Sequence, residues 1–479
     1  MVKILLSAIS GLLLAASFPT IDLWFLAPVS IALFYNQLVG SNFVKRTLFS
    51  FIYGIFFFAP LLHWSSIFVG ALPWLILAIG EALFLLLIAT MRWEHSSLHY
   101  LRFAAFWVVI EFAREKLPFG GFGWGRIGFS QISSPLSFYL PLFGVTGLSF
   151  MTVLFALALS KKGKRKTVFI MIVMVVLLGF GIEKNMDQRI NSRQSNKPIQ
   201  IALIQGGVPK ADLNFNAIPM AVFNNHYETT IRYFASSDYF AKPANLIIWP
   251  ENASDLDPFL NKSISEKISN LQSKSNANFL IGAVTDTKDG PENVAISYLK
   301  TGEIVKYVKR DLAPFGEYIP IRNIAEAITP LAKNVNDFHS GAEITIIKTA
   351  GAKFTPLICF ELLDDQTATQ NLRDSNLLIS MTNNATFGRS SEAAQQFLIA
   401  RVRAYEMRKV AAVVSTTGFT GFISNKGGVM VKAKQFSSTS LSRTITMNDF
   451  QTPIAKHRNY PDYAIIAIFL LTFLRRERG

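Results

Sequence analysis

The chain has 479 residues, half of them hydrophobic and only 16% charged, with 41 phenylalanines and a formal net charge of +15. That composition excludes a disordered chain and is that of a membrane protein. Its one cysteine, Cys359, excludes an internal disulfide, and six scattered histidines without an H-E-x-x-H motif or a His/Cys cluster leave metal hydrolysis without ligands. No metal or cofactor is expected.

In chain order, apolar runs occupy residues 4–19, 22–40, 47–69, 72–91, 101–118, 136–159 and 167–182. Most approach the ~20 residues a bilayer-spanning helix needs, so seven spans are expected. The first, with Lys3 before Ile4 to Phe18 and the small pair Ala15-Ala16, has features of a cleaved signal peptide, but the second run comes at once and favours an uncleaved anchor. Basic residues cluster at Lys3, Lys45-Arg46, Arg92 and Arg102, and Lys161-Lys-Gly-Lys-Arg-Lys166, which are the cytoplasmic loops under the positive-inside rule. Lys116 and Arg126, after the fifth run, depart mildly from it. An odd number of spans puts the long polar interval beyond residue 182 outside the cytoplasm. The same loops carry much of the positive excess, and no stripe of basic and aromatic residues forms, so the partner expected is anionic lipid and not nucleic acid.

Inside the spans, Glu111 and Arg114 stand three residues apart and read as an ion pair, while Glu81 and His63 read as helix-to-helix hydrogen-bonding groups. Gly123-Trp-Gly-Arg-Ile-Gly128 fits G-x-G-x-x-G but comes after a span instead of a strand, which excludes a dinucleotide site. This aromatic glycine loop reads either as a flexible interfacial cover, with Trp124 a candidate substrate contact, or as a plain connection.

From 183 to 462 the sequence turns into short β-rich stretches between Asn, Asp, Gly and Ser clusters, long enough for a core of its own. Strands are expected at Pro198–Gln205, Asn245–Trp249, Asn278–Val284, Val294–Leu299, Thr355–Cys359, Asn376–Met381 and Val410–Ser415, and a helix at Ala394–Lys409. The expectation is a layered α/β domain. Tyr463 to Leu474 is a short eighth apolar run before Arg475-Arg-Glu-Arg478. The expected division is therefore 1–182, 183–462 and 463–479.

Three elements of the polar interval end in residues fit for one site. Leu246-Ile-Ile-Trp-Pro-Glu251 delivers a carboxylate past a strand, Val308-Lys309 a cation before a turn, and Phe354-Thr-Pro-Leu-Ile-Cys359 a thiol. Alone, each has a plain reading as a solvated turn residue, a surface charge or a small buried hydrophobe. Together they supply acyl transfer with a nucleophile, a base and a cation for the oxyanion. A free thiol, with a pKa near 8.5, needs the base. Glu317 and Glu361 fall near the same locus, where clustered carboxylates raise one another's pKa; Glu317 alternatively braces the Pro-Phe-Gly turn and holds Lys309. No G-x-S-x-G motif points to a serine lipase.

Glu251, Lys309 and Cys359, in that order, resemble the triad of the carbon-nitrogen hydrolase (nitrilase) superfamily. Within it, Lys309-x-x-Leu-x-Pro-Phe-Gly-Glu317, Cys359-x-Glu361, Trp107-Val-Val-Ile-Glu-Phe-Ala-Arg114, Gly121 to Gln131 and Pro141 to Gly147 resemble the apolipoprotein N-acyltransferases over essentially the whole chain. The resemblance implies a multi-span α-helical membrane domain carrying an α/β nitrilase-like αββα sandwich on the extracytoplasmic side of a bacterial inner membrane. It implies Cys359 as nucleophile, Glu251 as general base and Lys309 as oxyanion stabiliser, supported by Glu317 and Glu361, with Asn384 near the site. The reaction implied is ping-pong, from a phospholipid acyl donor through a cysteine thioester to a diacylated apolipoprotein. Two departures stand out: Phe360, a candidate substrate contact, occupies a position where the family commonly has Tyr, and Gly207 to Asn214 lacks a tryptophan often found there. A tethered amidase with water as acceptor, and a transporter or receptor with an inert Cys359, remain the rivals.

Overall fold

The computed structural model describes residues 1–91, 97–160, 165–194 and 197–474. Arg92, Lys161 to Lys164 and Arg475 to Arg478, all expected in basic loops, lie outside the described residues. The chain divides into two compact units, Met1–Gln188 with Lys456–Gly479, and Arg189–Ala455.

The first unit is helical: α1 (Val2–Ala15), α2 (Leu26–Leu38), α3 (Phe43–Leu61), α4 (Ala71–Leu85, continued as a 3₁₀ turn to Thr90), α5 (Ser97–Lys116), α6 (Leu140–Ser160) and α7 (Arg165–Asn191). A helix thus lies on each apolar run, and α7 continues past its run to Asn191. Among the described residues three segments are long and apolar enough to cross a membrane: Phe43–Leu61, Ala71–Thr90 and Pro135–Ser160. α1 and α2 are apolar but only 14 and 13 residues long, which at 1.5 Å per residue falls short of the ~30 Å hydrocarbon core. Glycines set the packing. A Cβ on Gly11 of α1 would stand 2.4 Å from the Tyr53 carbonyl oxygen of α3, and one on Gly54 of α3 would stand 2.8 Å from the Ala82 side chain of α4. Small residues let helices approach where lipid offers no hydrophobic drive between them.

One expectation for this unit is corrected. Arg114 pairs with Glu81 of α4 at 2.5 Å and not with Glu111. Glu111 accepts instead from Trp107 Nε1 and the Ile127 amide. Three-residue spacing permits a pair on one helix, but Glu81 satisfies Arg114 from the neighbouring helix. In the glycine loop Trp124, Arg126, Ile127 and Phe129 to Gln131 are buried.

The second unit contains α8 (Ala221–Phe234), α9 (Ser237–Ala241), α10 (Lys262–Lys274), α11 (Arg322–Ile328), α12 (Asp365–Arg373), α13 (Glu392–Met407) and, at its end, α14 (Pro453–Lys456). Its strands are β1 (Ile199–Gln205), β2 (Leu246–Ile248), β3 (Asn278–Thr287), β4 (Gly290–Tyr298), β5 (Ile304–Val308), β6 (Ile347–Thr349), β7 (Ala352–Phe354), β8 (Leu357–Ile358), β9 (Leu378–Thr382), β10 (Ala411–Ser415), β11 (Gly421–Ile423), β12 (Val429–Lys432) and β13 (Thr439–Ile445). α15 (Tyr460–Leu474) returns to the helical unit, where Ile465 packs on Ala105 and Val108 of α5.

Two sheets form, ordered β13-β1-β2-β3-β4-β5 and β12-β11-β10-β9-β8, with β6-β7 a separate hairpin. β1, β2 and β3 run parallel, as do β8, β9 and β10. Ile199, Ile201, Leu203, Leu246 and Ile248 face Ile379, Met381, Ala412 and Val414 in one core between the sheets. The alternate residues Ala202, Ile204, Ile247, Phe279 and Ile281 pack outward on Phe223 of α8 and Ile264, Ile268 and Leu271 of α10. Burial on both faces explains why these strands read as continuous apolar runs. α13 packs on β10 and on α12, completing an αββα sandwich. The strands β5 to β7 and β11 to β13 fall outside the expected set; β5, β12 and β13 are largely unburied and so lack the continuous apolar run that marks the central strands.

Candidate active site

Three strand ends deliver the expected residues. Past β2 the chain turns at Trp249-Pro250, and Glu251 is 4% exposed. The turn presses on β3: a Cβ on Gly282 would lie 2.2 Å from the Pro250 carbonyl oxygen and 2.7 Å from the Glu251 Cα, so only glycine fits beneath the carboxylate. Lys309 comes directly after β5, its amide donating to the Asn293 carbonyl at 2.8 Å, and its side chain is 1% exposed. Cys359 sits where β8 breaks into a 3₁₀ turn, with φ +50°. A left-handed non-glycine residue is a strained conformation that the surroundings must hold.

Glu251, Lys309 and Glu317 form one buried cluster. Lys309 Nζ lies 2.7 Å from Glu317 Oε2 and 3.5 Å from Glu251 Oε1. Asn293 Nδ2 donates to both Glu251 Oε1 and Glu317 Oε1 at 2.7 Å. The Asn383 amide donates to Glu251 Oε2 at 2.7 Å. Glu317 also accepts the Ala313 amide at 2.7 Å, so it braces the Pro-Phe-Gly turn and holds Lys309 at once. Asn293 had no signal beyond a polar residue opening an apolar strand, because its two partners lie 42 and 24 residues away.

Glu361 works differently. Its Oε1 accepts from Tyr307 OH at 2.6 Å and the Arg310 amide at 2.7 Å, and its Oε2 from the Ile358 amide at 2.8 Å. It therefore ties the residues flanking Lys309 to the residue before Cys359 and registers one strand end against the other. Phe360 is half-buried in the turn beside Cys359. Asn384 is buried with its carboxamide taken up by Glu392, Gln396, Ser415 and Thr382. Trp124 belongs to the helical unit, packed on Trp64 and stacked on Phe122.

Burial is the first cause of the site's titration behaviour. It pushes the Cys359 thiol well above its ordinary value; Glu251, Glu392 and Glu317 add to the rise and Lys309 opposes it. Burial likewise raises Glu251, with Lys309 opposing and Glu317 adding. Burial lifts Glu361 to about 7 against its three hydrogen bonds. Mutual repulsion of carboxylates, the cause expected from sequence, is thus secondary at Glu251 and does not set Glu361. For Lys309 burial acts downward, but Glu317 and Glu251 overcome it and hold the ammonium protonated. The arrangement combines a thiol held toward its protonated form, a carboxylate raised by burial and a fixed cation.

Residues 10–158 match the family profile described as the apolipoprotein N-acyltransferase N-terminal domain, and residues 201–453 match that of carbon-nitrogen hydrolase. The chain is 30% identical to the apolipoprotein N-acyltransferase of Haemophilus influenzae, over 99% of this chain and 95% of that one. It is also 30% identical to that of Mycolicibacterium smegmatis, over 93% and 80%. A CN-hydrolase superfamily protein from Xanthomonas campestris superposes with a TM-score of 0.38 at 16% identity, covering 56% of this chain and 97% of that one.

Proposed function

The chain belongs to the apolipoprotein N-acyltransferase family, and from that membership we propose that Cys359 takes a fatty acyl chain from a membrane glycerophospholipid and passes it to an apolipoprotein. The acceptor is the α-amino group of the S-diacylglyceryl N-terminal cysteine. The observation that carries the reading is the buried cluster of Glu251, Lys309 and Glu317, whose charges act on the thiol at the β8 elbow.

Glu251 removes the thiol proton as Sγ attacks the ester carbonyl, and Lys309 stabilises the resulting oxyanion. Collapse breaks the ester C–O bond, Glu251 returns the proton to the leaving alkoxide, and the lysophospholipid departs. The acceptor amine then attacks the thioester; Glu251 takes its proton and delivers it to the departing thiolate, leaving an amide and the free thiol. A thiol pushed up by burial is deprotonated only when a substrate draws on the base, which limits idle reaction. Glu361 and Glu317 act as positioning residues, the first for the elbow and the second for Lys309.

Basic residues at Lys3, Lys45, Arg46 and Arg102, with those of the loops beyond Met91 and Ser160, support a multi-pass bacterial inner-membrane protein with residues 183–462 on the extracytoplasmic side. Lipid headgroups and the lipoprotein N-terminus are both presented there.

Intact-protein mass spectrometry after incubation with one defined phospholipid tests this. The expected result is a hydroxylamine-labile adduct of acyl mass on the parent, absent from Cys359→Ala, and chased by a diacylated lipopeptide. No adduct on a parent whose Cys359 still alkylates overturns acyl transfer from that phospholipid and leaves amide hydrolysis as the reading.

A further inference from the structure

Gln396 lies one helical turn after Glu392 on α13, so both side chains share a face. Its Nε2 stands 3.5 Å from Cys359 Sγ, within hydrogen-bonding reach of sulfur. Its Oε1 accepts from Asn384 Nδ2 at 2.8 Å, and the same Nδ2 donates to Glu392 Oε2 at 2.7 Å. Asn384 Oδ1 accepts from Ser415 Oγ at 2.5 Å and Thr382 Oγ1 at 3.2 Å. Ser415 Oγ itself accepts the Gly418 amide at 2.8 Å, which commits its proton to Asn384.

The two ends of a carboxamide have the same shape, so partners alone decide which way it points. Turned over, Asn384 would set its oxygen against Glu392 and its N–H groups against two hydroxyls already directed at it. Turned over, Gln396 would set N–H against N–H and aim its oxygen at the sulfur. Donation therefore runs from Ser415 through Asn384 and Gln396 to Cys359, with Glu392 accepting the second N–H of Asn384. Burial lifts Glu392 to about 8, and its Oε2 accepts from Asn384. Gly418 is part of the same arrangement, since a Cβ there would stand 2.1 Å from Asn384 Oδ1.

We propose that Gln396 is a further catalytic residue, donating a hydrogen bond to the Cys359 sulfur that strengthens as the thiolate forms, with Asn384 and Glu392 as positioning residues that fix the direction of its amide. The proposal rests on the reading of Cys359 as nucleophile. It meets a need that reading leaves open: Glu251, Glu392 and Glu317 all act against negative charge on the sulfur, and Lys309 is already engaged by two of them. An N–H aimed at the sulfur favours the charged form over the neutral one.

The test is the pH dependence of Cys359 alkylation by iodoacetamide, read by mass on the full-length protein in detergent, with thermal unfolding followed in parallel. Gln396→Met keeps the volume and removes the donor; its alkylation midpoint is expected about one pH unit above the parent's. Gln396→Glu, which sets an acceptor against the sulfur, is expected to rise further, and Asn384→Leu to rise by less because the Gln396 amide is then free to turn. A packing role for Gln396 would change the unfolding temperature and leave the midpoint in place. Midpoints within about 0.3 unit of the parent's in the folded Gln396 variants overturn the proposal; should Gln396→Met not fold, Gln396→Glu decides alone. A shifted midpoint in a protein that forms no acyl adduct upholds the hydrogen bond and refutes the nucleophile reading, whereas an adduct with an unmoved midpoint does the reverse.

Discussion

Buried charge is handled in two ways in this molecule. In the helical unit Arg114 faces Glu81 one to one, and Glu115 is met by two cations, the buried Arg126 and the partly exposed Lys116. A further donor of each arginine goes to a fixed acceptor, Arg114 to the Trp124 carbonyl and Arg126 to Thr146 Oγ1. In the α/β unit Lys309 faces two carboxylates, and a thiol lies within their field. A balanced pair has no proton to spare and serves packing. An acceptor in excess, beside a group that can lose a proton, is equipped for chemistry.

Removing one partner therefore has different consequences in the two units, and the largest effect is expected at Lys309. Lys309→Met is expected to slow thioester formation by about 10²–10³-fold, the scale of losing an oxyanion donor. Combining it with Glu317→Gln rebalances the charge, yet the rate is expected to stay low, because the cation itself is what the reaction uses. Single-turnover acylation followed by mass spectrometry checks this; recovery in the double variant would make Lys309 a structural counter-ion like Arg114.

Arg114→Leu is next. It leaves Glu81 buried without its cation and is expected to cost about 3–5 kcal/mol of stability, whereas Glu81→Leu with Arg114→Leu is expected to recover most of it. Thermal unfolding in detergent reads the cycle. A double variant as unstable as the single would show that the pair does more than neutralise.

The smallest effect is a shift in pH dependence. Glu251 must be ionised to accept the thiol proton, and burial raises its pKa above the ordinary 4.5. Acylation is then present above that raised pKa and lost as pH falls through it, so the acid limb is expected above pH 4.5. Asn293→Ala removes a donor that favours the ionised form and is expected to move the limb up by about half a unit to one unit, while Arg114→Leu leaves it in place. A limb at or below 4.5 would show that burial does not raise Glu251, and a limb that Asn293→Ala leaves in place would count against Glu251 as the base.

Much of this was legible in the sequence, for reasons that are local. Apolar runs mark helices because each residue's transfer into lipid is its own property. Strands buried on both faces mark themselves by continuous Ile and Leu, as at Leu246 to Ile248. Glu251 and Cys359 stand out because each comes just past such a strand, and Lys309 because it comes just before the Pro-Phe-Gly turn. The pairing of Arg114 was not legible: three-residue spacing points to Glu111, while the partner lies 33 residues back on α4. Asn293 and Gln396 escape for the same reason, since a polar residue in an apolar element shows no partner until distant segments pack.

The sequence by itself determined a helical part rich in apolar runs, a layered α/β part, and the order in which the carboxylate, the cation and the thiol of the candidate site occur along the chain. Only the tertiary structure decided which carboxylates share Lys309, that Glu361 registers two strand ends, and which way the Gln396 amide points. Burial propensity belongs to single residues and short periods and can be read along the chain. Hydrogen-bond direction and charge balance belong to groups joined by folding, and they take their values only when the sheets close.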